Sequence, residues 1–189
     1  MKKITENIKM YALFIITVII SIVLFLSFTS SNVNDLQVNQ KAPDFKLYNQ
    51  NSELVSLSDY AGKNLIIYFF PKAFTPGWVK QACGFRDEYK QYRDNNIEIL
   101  GISYDTKERQ KEFSQKYNLS FQLLSDIDAK VSKLYGVDTY FFPKRVTFLI
   151  NEEGVVFDII KNISLDDYAK KIIKIFKNNK IKKNKYDKN

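Results

Sequence analysis

Two kinds of apolar pattern divide the chain. From Met10 to Phe28 the residues MYALFIITVIISIVLFLSF carry no charge, no Gly and no Pro. As a helix rising about 1.5 Å per residue, this run matches a hydrocarbon core of about 30 Å. The expectation is a transmembrane anchor over 10–28 with a cytoplasmic segment, 1–9, before it. Lys2, Lys3 and Lys9 precede the run whereas only Lys41 lies in the fifteen residues after it, and positive flanks stay inside. The folded domain is then expected on the extracytoplasmic side. The alternative is a cleaved signal that leaves a secreted or periplasmic domain. Signal cores usually run about 7 to 15 residues and end in small residues, and this one ends Phe-Leu-Ser-Phe-Thr-Ser. Residues 29–40, polar and aperiodic, read as a tether.

From Lys41 the period alternates between that of strands and that of helices. Leu65–Phe70 is a continuous apolar run closed by Pro71, the pattern of a strand buried on both faces. Ala82, Phe85, Tyr89 and Tyr92 recur at helical spacing, and 97–102 gives a second strand. Asp105 or Thr106 is placed to cap a helix carrying Phe113 and Tyr117. A short strand at 121–124 and a helical turn at 131–135 follow. Residues 146–150 and 155–160 flank the turn Asn151-Glu152-Glu153-Gly154 as a hairpin. Ser164 with Asp167 makes a capping box for a last helix whose apolar stripe is Leu165, Tyr168, Ala169, Ile172, Ile173 and Phe176. The order predicts an α/β, thioredoxin-like sandwich over 41–177, a central mixed sheet flanked by helices, followed by a lysine-rich tail over 178–189 that reads as a solvated, frayed end, the alternative being a polybasic contact with anionic lipid or nucleic acid.

Composition removes much chemistry. There is no histidine and one cysteine, Cys83, so triads built on imidazole, His-ligated metals, a Cys-x-x-Cys pair and an intramolecular disulfide are all excluded. The formal charge of +8 belongs to the ends: residues 1–30 carry +2 and residues 161–189 carry +7, leaving −1 for the body. A near-neutral body lacks the basic face of a nucleic-acid groove, so no nucleic-acid partner is expected.

The blocks Ala42-Pro43-Asp44-Phe45, Leu57–Lys63, Tyr68-Phe69-Phe70-Pro71, Thr75-Pro76-Gly77, Ala82–Asp87, Leu123-Leu124-Ser125-Asp126, Tyr135-Gly136-Val137 and Arg145–Ile150 resemble, in order, a peroxiredoxin of the bacterioferritin comigratory protein (peroxiredoxin Q) class. The resemblance implies a thioredoxin fold, thiol-dependent reduction of a hydroperoxide, a thiol reductant such as thioredoxin as partner, and no cofactor. In that family's frame, Pro-x-x-x-Thr-x-x-Cys, this chain reads Pro71, Thr75 and then Trp78. The position of the nucleophile holds an indole. The resemblance assigns Pro71 to shielding the pocket, Thr75 to bonding the peroxide and Arg145 to polarising it, and makes Cys83 the resolving-type thiol.

The residues also admit plainer readings. Thr75 before Pro76 suits a helix start, and Arg145 could pair with Asp44 or Glu152. Five helical residues turn about 500° and rise about 7.5 Å, so Cys83 is expected away from the pocket, exposed and without activators, while Trp78 joins the apolar stripe as a plug. Three functions stay open: a membrane-tethered peroxidase working weakly through Cys83 or not at all; a non-catalytic thioredoxin-fold binding module; and a selenocysteine enzyme should the codon for residue 78 be TGA.

Overall fold

The unbroken burial of Leu65 to Phe69, on both faces of one strand, organises everything else. In this computed structural model, which describes residues 15–22, 36–161 and 167–186, β3 (Asn64–Phe69) sits deep in a sheet of the order β2-β1-β5-β4-β3-β6-β7. The partners are β1 (Lys46–Asn49), β2 (Leu54–Ser56), β4 (Ile97–Ser103), β5 (Gln122–Ser125), β6 (Val146–Ile150) and β7 (Val156–Ile160). β3 and β4 are parallel, as are β4 and β5; β6 runs antiparallel to both β3 and β7. Ile66, Tyr68 and Phe70 feed the core on one face, while Leu65, Ile67 and Phe69 feed the core on the other. That is what a continuous apolar strand requires.

The first face is covered by α1 (Pro76–Asp87), α2 (Tyr89–Asp94), α3 (Lys107–Tyr117) and α5 (Tyr168–Tyr186); α4 (Lys130–Leu134), a 3-10 turn at Leu57–Tyr60 and residues 36–45 lie on the second. The mixed-sheet, thioredoxin-like α/β sandwich expected from the periods is present. Tyr168, Ala169, Ile172, Ile173 and Phe176 are all buried, each large apolar side chain contributing on the order of 1.5–3 kcal/mol by leaving water.

Several boundaries differ from the periodic reading. The stripe through Ala82, Phe85, Tyr89 and Tyr92 is two helices, broken at Glu88 (φ −97°, ψ 6°). Strands β1 and β2 form a hairpin that the periods did not show. Asn49 holds it: its Oδ1 accepts from Asn51 N (2.9 Å) and Glu53 N (3.0 Å). Thr106, not Asp105, caps α3, accepting from Arg109 N. Residues 36–40, read as tether, belong to the domain: Leu36 is buried and Asn39 N donates to Val156 O (2.7 Å). Residues 178–186 are not frayed; they continue α5. Ser164 of the expected capping box and Leu165 of the expected stripe lie outside the described residues.

The chain divides into two units, Met1–Val33 and Asn34–Asn189. Of the first, 15–22 is helical with exposed side chains. The remainder of the 10–28 run lies outside the described residues, and among the described residues no helix is long and apolar enough to cross a membrane.

Candidate functional site

Where β3 ends, the chain turns sharply into α1. Phe70 N still donates to Ile102 O (3.0 Å), and Pro71, half-buried, removes the next donor and ends the ladder. Ala73 N donates to Asp105 Oδ2 (2.8 Å), which also accepts from Ser103 Oγ (2.9 Å). Asp105 is thus the tie between this turn and the end of β4. Phe74 adopts φ 68°, an unfavourable region for a bulky residue. Its ring is held against Phe113 (5.2 Å) and under the Arg109 guanidinium (4.1 Å).

Thr75 is extended and opens α1; Pro76 takes the first helical position, where a missing N–H costs nothing. Thr75 Oγ1 donates to Lys72 O (3.1 Å), and Thr75 O accepts from Trp78 N and Val79 N (both 3.0 Å). The turn therefore fixes Trp78 in the first turn of α1, with its indole directed inward and only 4% exposed.

Arg145 precedes β6, whose Val146 pairs with Phe69, so the start of β6 stands beside the end of β3. The Arg145 guanidinium lies 4.1 Å from the centroid of the Trp78 ring, and the Phe70 ring packs against the same indole at 5.9 Å, tilted by 40°. Arg145 itself is exposed; a cation over an indole there contributes about 0.5–1 kcal/mol. Arg145 rests on Trp78 rather than on the carboxylates considered for it. Asp44 Oδ1 accepts from Phe45 N (2.8 Å) and Glu152 Oε1 from Asn64 Nδ2 (3.3 Å).

Trp78, Thr75 and Arg145 are thus brought together at one end of β3 and β6, with Pro71 on the same turn. Cys83 is not part of the group, as its helical offset predicts, but it is half-buried where exposure was expected. The cause is α5. At Gly84, a Cβ would lie 4.0 Å from Ala169 Cβ, so a second helix covers part of the face that a single-helix projection assigns to solvent. Arg86, one turn on, is engaged elsewhere, donating to Asp87 Oδ1 (2.7 Å) and Tyr117 O (2.9 Å).

Beneath the indole lies a polar layer that sequence reasoning missed. Tyr168 Oη is 2.5 Å from Thr147 Oγ1, and Gln81, 2% exposed on the inner face of α1, adjoins the same phenol, its Oε1 without a hydrogen-bond partner among the described residues. Burial pushes the Tyr168 phenol up to about 12, against the hydrogen bonds from Thr147 and Gln81 and the charge of Arg145, which lower it. A polar residue on an apolar helical stripe, Gln81 between Trp78 and Phe85, was the available signal. Also missed were the adjoining aromatic residues Tyr140 and Phe141, 92% and 77% exposed, five and four residues ahead of Arg145.

The AhpC/TSA family pattern matches residues 38–159. A protein of Coxiella burnetii named putative peroxiredoxin bcp is 43% identical over 146 residues, 73% of this chain and 97% of the relative. Peroxiredoxin Bcp of Bacillus subtilis is 34% identical over 150 residues, 75% of this chain and 96% of its own. Among solved structures, BcpB of Mycobacterium tuberculosis superposes with a TM-score of 0.68 at 31% identity, covering 73% of this chain and 94% of its own. A peroxiredoxin Q variant of Xylella fastidiosa gives 0.71 at 25%, covering 76% and 97%.

Proposed function

The chain belongs to the AhpC/TSA family as a peroxiredoxin of the Bcp/PrxQ type, and we propose that it is a membrane-anchored member whose thiol peroxidase chemistry is silent because Trp78 stands at the nucleophile's position. The family reaction needs a thiolate at a helix N-terminus. Its sulfur attacks one peroxide oxygen, the O–O bond breaks, the alcohol or water leaves and the sulfur becomes a sulfenic acid, later returned to thiol by a reductant such as thioredoxin. An indole offers no such nucleophile. The observation that carries the reading is the Trp78 ring, buried with the Arg145 guanidinium 4.1 Å over its face, where that guanidinium covers an indole instead of steadying a thiolate.

The test compares peroxide consumption by the wild type, Cys83→Ser and Trp78→Cys in the presence of a thiol reductant. Wild type and Cys83→Ser should be equally slow, and Trp78→Cys should gain activity. Its new thiol sits between a helix N-terminus and a guanidinium, both of which depress a thiol below its free value of about 8.5. Its sulfenic acid should then condense with Cys83 to a disulfide, releasing water, after local unwinding of α1, because the two positions are about 7.5 Å apart along the helix. Rapid Cys83-dependent turnover by the wild type would instead assign a single-cysteine peroxidase.

A second reading, a thioredoxin-fold binding module, is favoured by the exposed pair Tyr140 and Phe141, shortly ahead of Arg145 in the chain, since contiguous exposed aromatics mark interaction surfaces. Such a module shows no peroxide-dependent oxidation of Cys83 by mass.

For location, the uncharged run 10–28 and the lysines before it support a single anchor with the domain outside the cytoplasm. The intact protein should sediment with membranes and resist carbonate extraction. A soluble mature form beginning near Ser30 or Asn32 would replace the anchor by a cleaved signal.

A further inference from the structure

The last helix continues past the domain it packs on. The buried stripe of α5 ends at Phe176, yet the helix runs ten residues further, Lys177–Tyr186, reading Lys-Asn-Asn-Lys-Ile-Lys-Lys-Asn-Lys-Tyr with five lysines and no acidic residue. Ten helical residues extend about 15 Å. Lys177, Lys180 and Ile181 are exposed, and lysines repeated along one helix repel one another. The segment is a concentrated positive charge on an otherwise near-neutral domain.

Its place in the fold gives that charge a direction. Asn151, Glu152 and Glu153 of the turn between β6 and β7 line one cleft with Phe176, Lys177 and Lys180. The same turn receives the start of the domain: Lys41 Nζ donates to Glu153 O, and Ala42 N donates to Gly154 O (3.0 Å). The lysine-rich helix therefore leaves the domain at the end of the sheet where the preceding chain arrives. Leu36 is already buried, and the eight residues from Phe28 to Leu36 span at most about 28 Å.

We propose that Lys177–Tyr186 docks on the anionic headgroups of the bilayer that holds the 10–28 run, an inference that rests on the anchor reading. Lysines are drawn to an anionic surface within a screening length of about 8–10 Å. The short connection keeps the headgroups at high local concentration, so a weak attraction is enough. Nucleic acid is the other polyanion of matching charge, but the body of the domain carries no basic face to continue the track.

The full chain is reconstituted in vesicles of phosphatidylcholine alone or with about a third phosphatidylglycerol, and amide hydrogen exchange is followed over 177–186. Exchange should be about tenfold slower on the anionic vesicles, with the difference lost at high salt and in a variant with Lys177, Lys180, Lys182 and Lys183 changed to Gln. Equal exchange on both lipids overturns the proposal. So does equal protection on neutral vesicles supplemented with inorganic phosphate, which would assign the segment to a soluble anion. Flotation separates the two readings. A chain that floats with neutral vesicles yet exchanges equally on both lipids keeps the anchor and overturns the docking; one that does not float with neutral vesicles overturns the anchor, and the docking proposed on it as well.

Discussion

A glycine in β4 shows how tightly the candidate site is backed. A Cβ at Gly101 would lie 2.6 Å from both Cζ and Oη of Tyr68 and 2.8 Å from Leu123 Cδ2, and Tyr68 is walled in by Phe70, Phe85 and Phe121. Gly101→Ala should cost about 2–3 kcal/mol by overpacking, read as a lower midpoint in urea. Tyr68→Phe should not rescue it, because Cζ is as close as Oη. On its own, Tyr68→Phe should be neutral or stabilising by about 1 kcal/mol, since the buried Oη finds no hydrogen-bond partner among the described residues; a loss instead would reveal a bond to that hydroxyl. Cys83→Ser is a different kind of change. At a half-buried position it should cost about 1 kcal/mol or less, whereas a loss of several kcal/mol would place the thiol in the core. Trp78→Cys carries a stability penalty of its own. Removing a buried indole costs about 3–5 kcal/mol, so its peroxidase assay belongs at a temperature where circular dichroism shows it folded.

At the scale of elements, what was legible depended on how local the cause was. β3 was legible because both faces of one strand are buried, and the inward placement of Trp78 followed from spacing within one helix. The Arg145–Trp78 stack was not legible, because it joins two elements distant in sequence through the β3–β6 pairing. The break at Glu88 and the partial covering of Cys83 by α5 have the same origin: a period reports one helix against one surface and is blind to a second neighbour. The β1–β2 hairpin escaped because its strands are short and its turn is held by the Asn49 side chain rather than by a Gly-containing loop. A local device supports a local prediction. Thr106 caps α3 by accepting from Arg109 N, and Thr106→Ala should cost about 1 kcal/mol in chemical denaturation without changing the far-UV spectrum. An equal cost from Asp105→Ala would need another mechanism, because that carboxylate holds the Ala73 turn and not the helix.

For the whole molecule, the phenols buried in the two cores set the alkaline limit of the fold. Tyr68, Tyr92, Tyr135 and Tyr168 are all raised above the usual 10.0 by burial, Tyr168 to about 12 and the other three beyond the range reached before unfolding. The sign follows from linkage. A phenol whose folded value exceeds its unfolded one contributes its stability in full below pH 10 and loses it as pH rises from 10 toward the folded value. At pH 11 each such phenol favours the unfolded chain, and the four together act by roughly several kcal/mol, on the scale of the whole stability of an ordinary domain. The domain should therefore unfold before these phenols ionise in place. The buried set should then appear in one cooperative step near pH 11, coincident with loss of the far-UV signal. If the buried phenols titrate smoothly while the far-UV signal persists, then the layer formed by Tyr168, Thr147 and Gln81 is open to hydroxide, and the indole above it does not seal the site.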